Sequence, residues 1–150
     1  MTLKNTINFF ESLKVETVKK SEIKIYNQFI DILKKLENRE FNTNEIQSIE
    51  TELDSLNLTS NPENRIKYFK KTLSDFKKYL KNTFSLTPKG YYTSLYGGLG
   101  LIFGLLFGVT VLTNLERSLG ISLGLIGGMV IGAIIGSSKD TQAKIAGKIL

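Results

Sequence analysis

The sequence has no cysteine and no histidine. Without cysteine, no disulfide can staple the fold and no thiolate can hold a metal or attack a substrate. Without histidine, the usual general base near neutral pH and the commonest metal ligand are both missing. Charge is also scarce in the second half: from Tyr91 to Gly136 only Glu116 and Arg117 are charged at neutral pH, and they are adjacent. These absences leave no nucleophile paired with a base and no cage for a metal ion. Glu50 and Asp54 fall on successive helical turns and read as solvent-facing charge. No catalytic residue, metal ligand or cofactor is therefore assigned, and enzymatic activity is not expected.

What the chain does have is divided sharply along its 150 residues. Met1 to Gly90 carries 16 Lys and Arg against 12 Asp and Glu, interleaved with apolar residues. Eleven of the 13 glycines lie between Gly97 and Gly136. That change in composition marks a domain boundary, with a head over residues 1–88, an apolar segment over 89–138 and a short tail over 139–150. Lys4, Glu11, Lys14 and Glu16 interrupt the first residues, so the start lacks the apolar core of about seven or more residues that a cleavable signal needs. The head is expected to stay in the cytoplasm.

Periodicity in the head is helical throughout. Ile23, Tyr26, Ile30 and Leu33 step by three and four, with Phe29 and Leu36 widening the stripe. Ile46, Ile49, Leu53 and Leu56 repeat those steps, and so do Ile66, Phe69, Leu73, Phe76 and Leu80. Leu3, Ile7 and Phe10 begin a shorter version. Such spacing puts the side chains on one face of each helix. Thr43 or Asn44 is placed to cap one helix, and Asn61 before Pro62 to cap the next. Pro88 and Gly90 break the chain ahead of the apolar segment. Three or four helices with short loops predict a small antiparallel bundle.

Tyr91 to Thr113 and Leu119 to Gly136 are free of charge, and about 20 such residues cross a hydrocarbon layer of roughly 30 Å. One continuous span would bury Glu116 and Arg117 in lipid, so two spans, about 91–113 and 119–137, joined by a polar turn at 114–118, are favoured. Lys77, Lys78, Lys81 and Lys89 precede the first span, and Lys139, Lys144 and Lys148 follow the second. The positive-inside rule then places both termini in the cytoplasm. Tyr91, Tyr92 and Tyr96 fall at the interface, where amphipathic rings are favoured. The tail from Lys139 to Leu150 is expected as a short amphipathic helix with Ile145 and Ile149 on one side.

Glycines recur every fourth residue: Gly100, Gly104 and Gly108 in the first span, and Gly120, Gly124, Gly128, Gly132 and Gly136 in the second. Each costs helix propensity of about 1 kcal/mol against alanine, which needs a compensating role. Lipid is as apolar as leucine, so close backbone contact between helices drives association there, and small residues permit it. A step of four advances 400°, which favours a right-handed crossing near −40°. The fold expected is all-α, a cytoplasmic helical bundle followed by a two-helix transmembrane hairpin with glycine-zipper packing. Gly127 and the pair Gly97–Gly98 broaden the smooth surface enough for a second neighbour. A phosphate loop is excluded, because Gly98, Gly100 and Gly104 are spaced GxGxxxG with no preceding strand.

The run from Gly120 through Gly136-Ser-Ser-Lys-Asp140 resembles the small bacterial membrane proteins grouped as glycine-zipper proteins. The resemblance covers about residues 97–140, a third of the chain. It implies a bacterial source and helix association within the membrane, and it implies no particular activity; with both termini cytoplasmic, the expected location is the bacterial inner membrane.

Between Arg65 and Lys89 there are eight Lys or Arg and one acid, Asp75. Lys70, Lys71, Lys77, Lys78, Lys81 and Lys89, with Tyr91 and Tyr92, are candidates for contact with anionic lipid headgroups at about 1 kcal/mol per lysine. Nucleic acid is disfavoured as a partner, because the aromatic residues here belong to the apolar stripe and are not free to stack on bases. Asn57-Leu58-Thr59 matches a glycosylation sequon that a cytoplasmic head would never expose to the enzyme. Two functional expectations follow. The first is a self-associating homo-oligomer, a pore or membrane-perturbing assembly regulated by the head. The second is a membrane-anchored interaction or immunity-type protein whose head binds a protein partner.

Overall fold

A computed structural model describes every residue except Asn61 and residues 112–116. The expected cap at Asn61 and the turn residues Asn114, Leu115 and Glu116 lie outside the described residues. Among those described there are six α-helices and no strand, which agrees with the expected all-α class. The chain divides into two compact units, Met1–Leu86 with Leu150, and Thr87–Ile149.

The first unit holds α1 (Leu3–Glu16), α2 (Lys20–Glu37), α3 (Thr43–Ser55) and α4 (Arg65–Phe84). Thr2 caps α1 by accepting from the Asn5 N–H. The cap of α3 is Asn42, ahead of both expected caps, Thr43 and Asn44. Its side chain accepts from the Glu45 N–H while the Glu45 carboxylate accepts from the Asn42 N–H, both at 2.9 Å. This reciprocal pair satisfies two orphan donors and makes Thr43 the first helical residue. Asn64 caps α4, accepting from the Lys67 N–H at 3.0 Å, so Pro62 precedes the helix instead of opening it. At the other end Ser85 turns left-handed at φ 57°, and the Leu86 N–H reaches back to the Leu80 carbonyl. That closure buries Leu86 beside the apolar stripe of α4.

The stripes meet as expected over most of their length. Phe10, Tyr26, Phe29, Leu33, Leu36, Ile49, Phe76 and Leu80 are buried. Phe10 stacks on Phe29 with centroids 4.4 Å apart, and Phe69 sets its edge against Tyr26 at 5.4 Å. Such aromatic pairs add about 0.5–1.5 kcal/mol beyond their area burial. Leu150 lies in the same buried cluster. Two positions depart from the expected stripes. Ile46 is exposed, and Ile23 is only half-buried while Ile25 is buried in its place. Glu50 and Asp54 are not idle charge. Glu50 accepts from the Leu3 N–H and Asp54 pairs with the Met1 amino group, so both tether the start of α1.

The second unit holds α5 (Tyr91–Thr110) and α6 (Arg117–Ile145). Both bounds of α6 correct the expected limits. Arg117 and Ser118 belong to the helix, not to a turn, and the helix continues unbroken through Lys139 to Ile145. The tail is therefore no separate amphipathic element. Lys139 and Asp140 end a charge-free run without ending the backbone hydrogen bonding, which stops where Gly147 turns left-handed at φ 67°. Beyond it the Thr87 N–H donates to the Lys148 carbonyl at 2.9 Å, and Thr87 pairs in parallel with Ile149. Ile149 thus leaves the face it was expected to share with Ile145.

Candidate functional site

The packing of α5 on α6 is built from backbone. A Cβ placed on Gly104 would meet the Gly124 carbonyl and the Gly128 Cα, and one on Gly124 would lie 2.8 Å from the Gly108 Cα. One on Gly108 would lie 2.6 Å from the Gly120 carbonyl oxygen. Gly100 and Gly128 face each other in the same way. Real Cβ atoms essentially never come within 3.0 Å of such neighbours, so no other residue fits without parting the helices. On α5 the facing positions rise by four as those on α6 fall by four, which is the signature of an antiparallel pair in one fixed register.

The α6 row continues past the α5 glycines. Gly132 packs on the Tyr96 carbonyl and Gly136 on the Tyr92–Thr93 peptide. All eight glycines singled out from the four-residue spacing therefore lie along one seam. The tyrosines have a backbone role there, since Tyr92 and Tyr96 supply the surface against which the last two α6 glycines rest. The broadening glycines differ. A Cβ on Gly97, Gly98 or Gly127 would meet nothing within 4 Å.

Beside the seam runs an open apolar groove of about 650 Å³. Leu99, Phe103 and Phe107 form one wall, Leu123, Ile131 and Ile135 the other, with Gly127 between them on α6. The remaining faces are apolar and open, with Ile102 59%, Ile126 63% and Ile134 65% exposed. The few hydroxyls are spent locally. Thr110 donates to the Leu106 carbonyl and Ser122 to the Ser118 carbonyl, each at 2.8 Å.

A residue the spacing argument passed over sits at the end of the seam. Asp140 accepts from the Tyr92 N–H and the Thr93 N–H, both at 3.0 Å, and from the Thr93 hydroxyl at 2.7 Å. The signal was present in the sequence, because Asp140 stands one more step of four beyond Gly136.

The basic residues divide between the two units. On α4, Lys70, Lys71 and Lys78 are exposed, whereas Lys77 and Lys81 are half-buried. Burial pushes the Lys77 ammonium below its ordinary value. Lys77 is four residues after Leu73 and three before Leu80, so it borders the buried stripe instead of opposing it. Lys89 is exposed, and Tyr91 and Tyr92 are half-buried with their rings edge to face at 5.2 Å.

No protein family, curated protein or solved structure matches the chain. Its class rests on its own geometry: an all-helical protein with two helices long and apolar enough to cross a membrane.

Proposed function

We propose that the chain is an integral membrane protein of a bacterial inner membrane, in which α5 and α6 cross the bilayer as a glycine-zipper hairpin that self-associates into a homo-oligomer. The observation that carries this reading is the openness of the two helices. Only 17% and 22% of their most apolar windows are buried, whereas a helix of this composition inside a soluble core is buried on most sides. Lipid is the solvent that accepts such surfaces. Both termini then lie in the cytoplasm beside the lysine-rich flanks, and the exposed lysines of α4 meet anionic headgroups.

Self-association uses the groove that contains Gly127. The seam glycines are consumed within the hairpin, but Gly127 has space over it and permits a neighbouring helix to approach closely. A ring built this way encloses an apolar lumen, because the Thr110 and Ser122 hydroxyls already donate within their own helices. Such a lumen dewets and stays closed until the head moves the helices.

The test is native mass in mild detergent for the intact chain and for Gly127→Leu. The expected result is an oligomer for the intact chain that Gly127→Leu reduces to a monomer with helical content unchanged. A monomeric intact chain would remove the assembly and leave the anchoring reading, in which the head recruits a protein partner.

A further inference from the structure

The first turn of every helix leaves N–H groups without partners in the helix itself. In α5 the Tyr91 N–H donates to the Pro88 carbonyl and the Ser94 N–H to the Gly90 carbonyl. The N-cap residue is Gly90, in the left-handed region at φ 77°, and it has no side chain to accept the other two. Those two, from Tyr92 and Thr93, are the ones that Asp140 takes, one on each carboxylate oxygen. The cap of α5 is therefore supplied by α6, across 47 residues of chain or more.

The arrangement depends on the seam. Gly136 lets α6 approach until its Cα stands against the Tyr92–Thr93 peptide, and a Cβ there would lie 2.7 Å from the Thr93 nitrogen. One turn further along, α5 has not yet begun, so the next position faces free N–H groups instead of a carbonyl. A short carboxylate at that position fits both the distance and the positive end of the helix dipole. Glutamate keeps both acceptor oxygens on a stem longer by one methylene, whereas asparagine offers one acceptor and turns an NH2 donor towards an N–H.

We propose that Asp140 is a latch that holds the first turn of α5 against α6, and that releasing it lets this end of the pair separate while the layers from Gly100 to Gly108 stay packed. The device rests on the α5–α6 packing alone and is independent of self-association, so a monomeric chain would leave it standing. Thr93 is the second element, since its hydroxyl donates to the Oδ2 atom that also accepts its own N–H.

The absence of cysteine makes paired labelling clean. Spin labels at Leu95→Cys and Ser138→Cys report on the latched end, and labels at Val109→Cys and Leu119→Cys report on the opposite end. Distances are measured by pulsed dipolar spectroscopy on the full chain in phosphatidylcholine–phosphatidylglycerol nanodiscs, diluted with unlabelled chain. With Asp140→Asn the distribution at the latched end should broaden roughly twofold and move to longer distance, as local opening requires, and the far pair should keep its distribution. Asp140→Glu should retain most of the narrow distribution, and Thr93→Val should broaden it by less than Asp140→Asn does. The proposal is overturned if Asp140→Asn leaves the latched end unchanged, if both ends broaden alike, or if Asp140→Glu opens the end as far as asparagine. Should Asp140→Asn fail to fold, Thr93→Val decides, and a distribution identical to the unsubstituted chain would refute the latch.

Discussion

Replacing Gly127 with alanine and Gly128 with alanine adds the same methyl group at adjacent positions of one helix, and the two changes should move stability in opposite directions. Within one chain the new Cβ at Gly127 meets nothing within 4 Å, so the hairpin, measured where the protein is diluted to monomer, changes only through helix propensity, a gain of up to about 1 kcal/mol. At Gly128 the Cβ falls 2.7 Å from the Gly104 Cα and still nearer the Gly100 carbonyl oxygen. Neither neighbour is a side chain that can swing away. Restoring an ordinary carbon–carbon separation of about 3.5–4 Å means parting the backbones by roughly 1 Å, and a gap of that size forfeits a quarter to a half of each contact it opens. Overpacking of this kind costs about 1–3 kcal/mol. The propensity gain is common to both variants and cancels in the comparison, so they should differ by the overpacking cost, about 2 kcal/mol, more than tenfold in the folding equilibrium. The assay is the midpoint of unfolding, followed by far-ultraviolet circular dichroism, as the protein is transferred from mild detergent into SDS. If both variants shift the midpoint equally, or if Gly128→Ala stabilises, the seam is not held by backbone contact and the reasoning fails.

The head offers two further tests. Glu22 is buried, and the Thr17 hydroxyl donating at 2.8 Å, with Lys19 and Arg65 nearby, holds its carboxyl below the ordinary range. A lowered folded value means the unfolded chain binds the proton more readily, so this contribution is present above the ordinary carboxylate range and is lost as pH falls through Glu22's own value. Thermal melts at pH 7 and pH 3 should therefore show a smaller acid loss for Glu22→Gln than for the intact chain, and equal losses would count against the site. Asn42→Ala removes the reciprocal cap of α3 and should cost about 1 kcal/mol, seen as faster amide hydrogen exchange in the first turn of α3; unchanged exchange there would show the cap to be idle.

The positions at which the structure departs from the sequence pattern have local causes. Three consecutive residues, Asn42, Thr43 and Asn44, are all good caps, and the deciding partner was Glu45, which is three residues beyond the first of them. The end of α6 was misplaced because charge at Lys139 marks where an apolar run stops, while a helix stops only when its hydrogen bonds run out, here at Gly147. Lys77, a candidate for headgroup contact, is half-buried because a stripe drawn as single steps is narrower than the face a neighbouring helix covers. Asp140 was passed over because it reads as the first charge after a span, and its value lies in the N–H groups of a helix that begins almost 50 residues earlier.

A four-residue repeat and the lack of charge between Tyr91 and Thr113 were enough to establish that one side of each late helix is smooth and that the rest is apolar. Periodicity determines a face because side chains four apart must stack along the helix, whatever surrounds them. It leaves open which layer of one helix meets which layer of the other, since sliding by four restores the same pattern. Only the folded pair decided that Gly104 meets Gly124 and Gly136 meets Tyr92, and so placed Asp140 at the free amides of α5. That choice belongs to tertiary structure because it turns on where α5 starts and which donors remain unspent, and both are properties of the two helices together.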